Sequence, residues 1–148
     1  MKTTDDIIRQ LYQTTRIISA KLNQILEPYG IHNSEWTIIV AIKEKDVMSQ
    51  VALANYLNIE PPAISKTLVN LERKGLIRRK EGIDKREKTV FLSEEALRQY
   101  PLWEEIVGCH RKRILLGLSD EKLNELYITL HTVFLNAQKT NSGAKIND

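Results

Sequence analysis

Apolar positions recur at helical spacing along most of this chain, and the polar residues between them mark where each helix starts and stops. Ile7, Leu11, Ile18, Leu22, Ile25 and Tyr29 follow at spacings of 4, 7, 4, 3 and 4, and Ile8, Ile17 and Leu26 widen the stripe. The pattern predicts a long helix to Pro28, started by Thr4 as a cap with Asp5 and Asp6 behind it. A stripe this wide fits either a monomer core or a face shared with a second subunit. His32, Asn33 and Ser34 cap a helix from Glu35 to Lys45, with Trp36, Ile39, Val40 and Ile42 inward. Val47-Met48 reads as a short strand. Near the other end, Ser93 with Glu94 and Glu95 opens a long helix containing Pro101, where a kink or a fresh start is expected. Ser119, Asp120 and Glu121 open the last helix, whose stripe is Leu123, Leu126, Tyr127, Leu130, Val133, Phe134 and Ala137.

The stretch from Ser49 to Ser93 has a different rhythm. Ser49 caps a short helix, Gln50 to Leu57, and Asn58-Ile59-Glu60 breaks it. Pro61 and Pro62 open the next helix, because proline is tolerated only in a first helical turn. Ile64, Leu68 and Leu71 give it one apolar face, and Ser65, Lys66, Thr67 and Asn70 lie opposite. Gly75 ends it by taking a left-handed conformation. Leu76 to Lys80 and Lys88 to Leu92 then flank a polar tip from Glu81 to Glu87, a hairpin pattern. Two short helices and a basic hairpin describe a winged helix-turn-helix. The expected fold is therefore mainly α with a small β-hairpin, flanked by N- and C-terminal dimerisation helices.

Charge follows the same division. Residues 61–88 hold nine Lys/Arg against four acids, a net +5, whereas the whole chain is +3, leaving −2 elsewhere. Positive charge collects where a DNA-reading motif would use it. Ser65, Lys66, Thr67 and Asn70 form the candidate recognition set, since Asn pairs with adenine and Lys reaches guanine or phosphate. Pro62 and Ala63 stand at the helix entrance, within reach of a thymine methyl, and Ser49 joins the set at the head of the preceding helix. Arg86 at the hairpin tip suits a narrow minor groove, with Asp84 two residues away to hold it. A surface ion pair is the plain reading of the same two residues. Arg78, Arg79, Lys80, Lys85 and Lys88 are phosphate candidates. Arg73 and Lys74, in the last helical turn, suit the negative end of the helix dipole.

The run Ser65-Lys66-Thr67-Leu68-Val69-Asn70-Leu71-Glu72-Arg73-Lys74-Gly75-Leu76-Ile77, then Asp84-Lys85-Arg86 and Leu92-Ser93, resembles the MarR family of transcription regulators. The family pattern has a Thr-Arg-like pair, Leu-Glu-x-x-Gly-Leu-Ile, Asp-x-Arg in the wing and Leu-Thr; Ser65-Lys66 and Leu92-Ser93 depart from it. The resemblance implies a homodimer on a pseudo-palindromic operator, acting as a repressor released by a small-molecule or stress signal. It implies one domain over 1–148, with dimerisation helices at 5–29 and 94–138, the DNA-binding region at 34–92 and a flexible tail at 139–148. It also implies an effector pocket that Tyr12, Arg16, Trp36 and Trp103 are placed to line, although core packing is the stronger reading of the aromatics. Without the resemblance, a winged-helix module for an acidic protein partner remains an alternative to DNA binding.

Composition narrows the rest. The chain of 148 residues is 42% hydrophobic and 28% charged, and carries one cysteine, Cys109, which excludes an internal disulfide. No apolar run approaches the roughly 18 residues of a membrane span. The first ten residues lack the apolar segment of a secretory leader, so a cytoplasmic location is expected. Cys109 reads as apolar filler or, beside Arg111, Lys112 and Arg113, as an oxidant sensor. His32, His110 and His131 show no metal-ligand spacing with it, and no metal or cofactor is expected. No nucleophile–base signature, glycine-rich phosphate loop or HExxH suggests an enzyme.

Overall fold

A computed structural model of the protein describes residues 1–81 and 88–140. The order is α1 (Thr4–Leu26), a 3-10 turn (Glu27–Tyr29), α2 (Asn33–Lys45), β1 (Met48–Ser49), α3 (Gln50–Leu57), α4 (Pro61–Arg73), β2 (Ile77–Glu81), β3 (Lys88–Leu92), α5 (Glu94–Ile114) and α6 (Asp120–Lys139). The chain divides into two compact units, Met1–His110 and Arg111–Asp148. No helix among the described residues is long and apolar enough to cross a membrane.

The caps explain most of the boundaries. Helix α1 starts one residue earlier than the acid-rich pattern suggested. Thr3, not Thr4, is its cap, because Asp6 is then correctly placed to accept from the Thr3 amide at 3.1 Å. These bonds to Thr3 hold the Asp6 carboxyl below its ordinary value, the backbone amide first and the hydroxyl second. At α2 the Glu35 carboxylate accepts from the His32 amide at 3.0 Å. Ser49 and Ser119 accept from Ala52 and Lys122 amides at 3.0 and 3.3 Å. Helix α5 runs unbroken across Pro101 rather than restarting there.

Within the first unit one apolar core joins α2, α3, α4, the sheet and the first part of α5. Ile39, Ile42, Leu53, Leu68 and Leu71 are completely excluded from solvent there. On α2, Ile38 and Ala41 are buried while Val40 is only half-buried, so the inward face is rotated from the expected one. The sheet is antiparallel in the order β1-β3-β2. Met48 pairs with Val90 and Ile77 with Leu92, so the short strand before α3 joins the hairpin one residue later than Val47-Met48 would have placed it. Ser49 is both the last residue of β1 and the cap of α3, which fixes the first helix of the motif to the sheet edge.

Two helices keep apolar surface open. Of α1, only Leu22 and Leu26 are buried; Ile7, Ile8 and Ile17 are exposed, Ile17 by 63%. Helix α6 buries nothing, and Leu126, Tyr127, Leu130, Val133 and Phe134 are all exposed.

Candidate nucleic-acid interface

Helix α4 begins with two prolines in its first turn, which supply preset backbone angles where no amide partner is needed. Ile64, Leu68 and Leu71 anchor it in the core. Pro62, Ala63 and Lys66 are exposed, and Ser65, Thr67 and Asn70 are half-buried on the outward side. The sequence-derived recognition set is therefore brought together on one helix face, with Ser49 at the head of α3 half-buried.

Three side chains on that face, Ser65, Thr67 and Asn70, already have partners. The Thr67 hydroxyl donates to the Ala63 carbonyl at 3.0 Å, so its lone pairs face outward. Asn70 Oδ1 accepts from Arg73 Nη2, which leaves the Asn70 amide hydrogens for another acceptor. Ser65 Oγ accepts from Gln50 Nε2 at 3.0 Å.

The far end of α4 is tied down on two sides. Gly75 takes φ +71°, and the Gly75 and Leu76 amides donate to the Glu72 and Leu71 carbonyls at 3.0 and 2.9 Å, a complete Schellman ending. The Ser93 hydroxyl donates to the Gly75 carbonyl at 2.6 Å and accepts from the Ala96 amide at 3.2 Å, joining this ending to the start of α5. Lys74 does more than sit at the helix end. Its ammonium reaches both oxygens of Glu35 at 2.9 and 2.8 Å and the Gly30 carbonyl at 2.9 Å. Glu35 is 1% exposed, so this is a buried charge given its partner from across the fold.

The wing strands carry the cations expected of them. Arg78, Lys80 and Lys88 are exposed. Arg79 differs. Its Nε donates to Glu72 at 2.6 Å and its Nη1 to Gln50 at 3.3 Å, so it is engaged inside the motif before any phosphate arrives. A groove of about 540 Å³ lies between α4 and the strands, lined by Val69, Glu72, Arg73, Arg79 and Lys88. Three cations against one acid make it electropositive. Asp84, Lys85 and Arg86 lie outside the described residues, as does 141–148 of the expected tail.

The four residues considered for an effector pocket separate into two environments. Trp36 and Trp103 are core residues, 3% and 1% exposed, and the Trp36 ring packs tilted against Tyr100 with centroids 5.2 Å apart. Tyr12 is 62% exposed on α1, with the Arg16 guanidinium 5.9 Å from its ring. Core packing won over pocket lining for the tryptophans, since both extend the apolar stripes of α2 and α5. Both indole N–H groups and His110 Nε2 are buried without a partner among the described residues. Cys109 is exposed, so the filler reading is corrected. On α5 the inward face runs through Trp103, Val107 and His110, and Cys109 falls beside it. Sequence reading missed Gln50, Glu72 and Glu35. Their partners are 7 to 39 residues away in the chain, and no local pattern signals such pairs.

Comparison with known proteins agrees with this arrangement. The model of the MarR family matches residues 31–88. An HTH-type transcriptional regulator of Bacillus subtilis (strain 168), YwoH, is 38% identical over 94 residues, covering 64% of this chain and 69% of that one. Among solved structures, a MarR transcriptional regulator from Methanosarcina mazei Go1 superposes with a TM-score of 0.84 at 21% identity, over 95% of both chains. A mutant MarR from E. coli complexed with operator DNA gives a TM-score of 0.80 at 21% identity, over 90% of this chain and 99% of that one. The chain belongs to the MarR family of winged-helix transcriptional regulators.

Proposed function

We propose that the chain is a homodimeric repressor that binds a pseudo-palindromic operator and is released by a small-molecule or stress signal. The observation that carries the DNA reading is α4 itself: a proline-started helix anchored by Ile64, Leu68 and Leu71, turning Ser65, Lys66, Thr67 and Asn70 outward. The operator complex of the E. coli relative, with the same fold, supports it. In this reading Pro62, Ala63, Ser65, Lys66, Thr67 and Asn70 meet base edges, and Ser49, Arg78, Lys80 and Lys88 meet the backbone. Asp84, Lys85 and Arg86 complete the wing on the strength of the family pattern.

Dimerisation through the open apolar faces of α1 and α6 sets two copies of α4 about 34–36 Å apart, one turn of duplex. An effector acts only by binding one spacing of the two copies more tightly than another. Duplex titration at two salt concentrations tests the assignment. Asn70→Ala is expected to lower the ratio of specific to non-specific affinity about tenfold. Lys80→Ala is expected to weaken all duplexes alike and reduce the salt slope by about one. Arg86→Ala is expected to weaken operator binding in the same assay, and unchanged affinity would remove the wing tip from the interface. Identical behaviour of the Asn70 and Lys80 variants would refute the division into base and backbone contacts.

A further inference from the structure

We propose that Glu72, Arg79 and Gln50 form a one-directional hydrogen-bond relay that fixes the Ser65 hydroxyl as a donor toward DNA. This serine then selects an acceptor edge in the operator. The inference rests on α4 being the DNA-reading helix and adds which chemical group one of its residues demands.

The direction of the relay follows from what each group is able to do. An ionised carboxylate only accepts and a guanidinium only donates, so Arg79 Nε donates to Glu72 Oε2 at 2.6 Å. The same guanidinium faces the side-chain amide of Gln50, with Nη1 3.3 Å from Oε1. A donor-only group there requires the amide oxygen, never the amide nitrogen. The orientation of Gln50 is therefore set by Arg79. Its nitrogen must then point the other way, and it meets Ser65 Oγ at 3.0 Å. An amide N–H facing a hydroxyl makes the oxygen the acceptor. The hydroxyl proton turns elsewhere, and among the described residues nothing takes it.

The relay crosses the whole motif. Glu72 and Ser65 lie on α4, Gln50 on α3 and Arg79 on β2. It is partly sheltered, since the Arg79 side chain is 20% exposed while Glu72 is 51% exposed. Ser65 is half-buried on α4, and in the proposed relay its remaining proton is presented on the side where duplex would lie. In the major groove guanine, adenine N7 and thymine O4 offer acceptors, whereas cytosine offers only its N4 donor. A hydroxyl held as a donor favours the first three. Thr67, two residues further along α4, is set with the opposite polarity by its bond to the Ala63 carbonyl.

Gln50→Glu provides the test. A glutamate at that position still accepts from Arg79, but it has only oxygen to offer Ser65. The serine proton then turns inward and its lone pairs face the DNA. Binding is measured to an operator panel carrying all four bases at each position, and each affinity is divided by that for random duplex. The added negative charge cancels in this ratio. For wild type, one position is expected to disfavour cytosine about tenfold. Ser65→Ala is expected to abolish the preference at that position alone, and Gln50→Glu to abolish or reverse it. The double variant is expected to match Ser65→Ala. Gln50→Ala, which frees the hydroxyl to rotate, is expected to halve the preference or more, and serves if Gln50→Glu does not fold. Retention of the wild-type preference in the Gln50 variants, or effects that multiply in the double variant, would overturn the relay while leaving DNA recognition standing. A wild-type protein that binds operator and random duplex equally would overturn the DNA reading itself.

Discussion

Lys74 reaches into the fold at the point where α4 ends. Its ammonium lies 2.8 Å from a carboxylate, Glu35, that is almost wholly removed from water. A buried carboxylate without its cation is costly, because solvation is lost and nothing replaces it. Lys74→Met keeps the aliphatic stem but removes the charge, and it is expected to destabilise the protein by about 3 kcal/mol. The figure is at the low end for buried pairs because the Lys74 side chain is 34% exposed. Denaturant unfolding at fixed protein concentration measures it, and a loss below about 0.5 kcal/mol would make the pair an ordinary surface contact. Nothing in the sequence separates Lys74 from Arg73. Both are basic residues in a last helical turn, where a favourable dipole interaction is a sufficient reason for either. Only the fold brings the Gly30 carbonyl and Glu35 to one of them. The same blindness applies to Arg79, legible as one cation among several and not as the partner of Glu72 and Gln50.

Elements were more legible than side-chain partners, because caps and periodicity are local. Helix α3 and its serine cap, the double-proline start of α4, its glycine ending and the hairpin strand Lys88–Leu92 all follow from residues within four positions of each boundary. Differences arise where two local signals compete. Thr3 and Thr4 are both competent caps, and the position of Asp6 decides between them. Pro101 is a helix-breaking residue in a segment whose burial of Ala96, Trp103 and Val107 holds it helical on both sides. Packing outweighed propensity there. Pro101→Ala restores an amide donor for the Leu97 carbonyl and removes the ring. It is expected to stabilise the protein by about 1–3 kcal/mol, seen as a higher thermal midpoint. A lower midpoint would show that the proline's geometry is required for α5 to meet the core.

At the scale of the molecule, unpartnered apolar surface is the main fact. Single exposed apolar side chains are ordinary, but a whole helix face of them marks an interaction surface. Helix α6 exposes such a face, including an aromatic ladder of Tyr127, His131 and Phe134 with ring centroids 5.9 and 6.2 Å apart. The width of these stripes was readable from the sequence; the exposure of Ile17 and Tyr127 in the single chain was not. With a second copy as the occupant, Phe134→Asp is expected to shift the protein from dimer to monomer at micromolar concentration in sedimentation equilibrium. It should also weaken operator binding about a hundredfold or more, because the two half-sites are no longer linked. A wild-type protein that sediments as a monomer would contradict the dimer directly.

The most direct measurement is the enrichment of short random duplexes by the purified protein, followed by sequencing. The expected result is one motif, two inverted half-sites with centres about one helical turn apart, whose enrichment is lost in the Ser65→Ala, Asn70→Ala double variant. Enrichment of no motif at low salt, or of one unaffected by those two substitutions, would contradict the assignment of α4 as the reader of DNA.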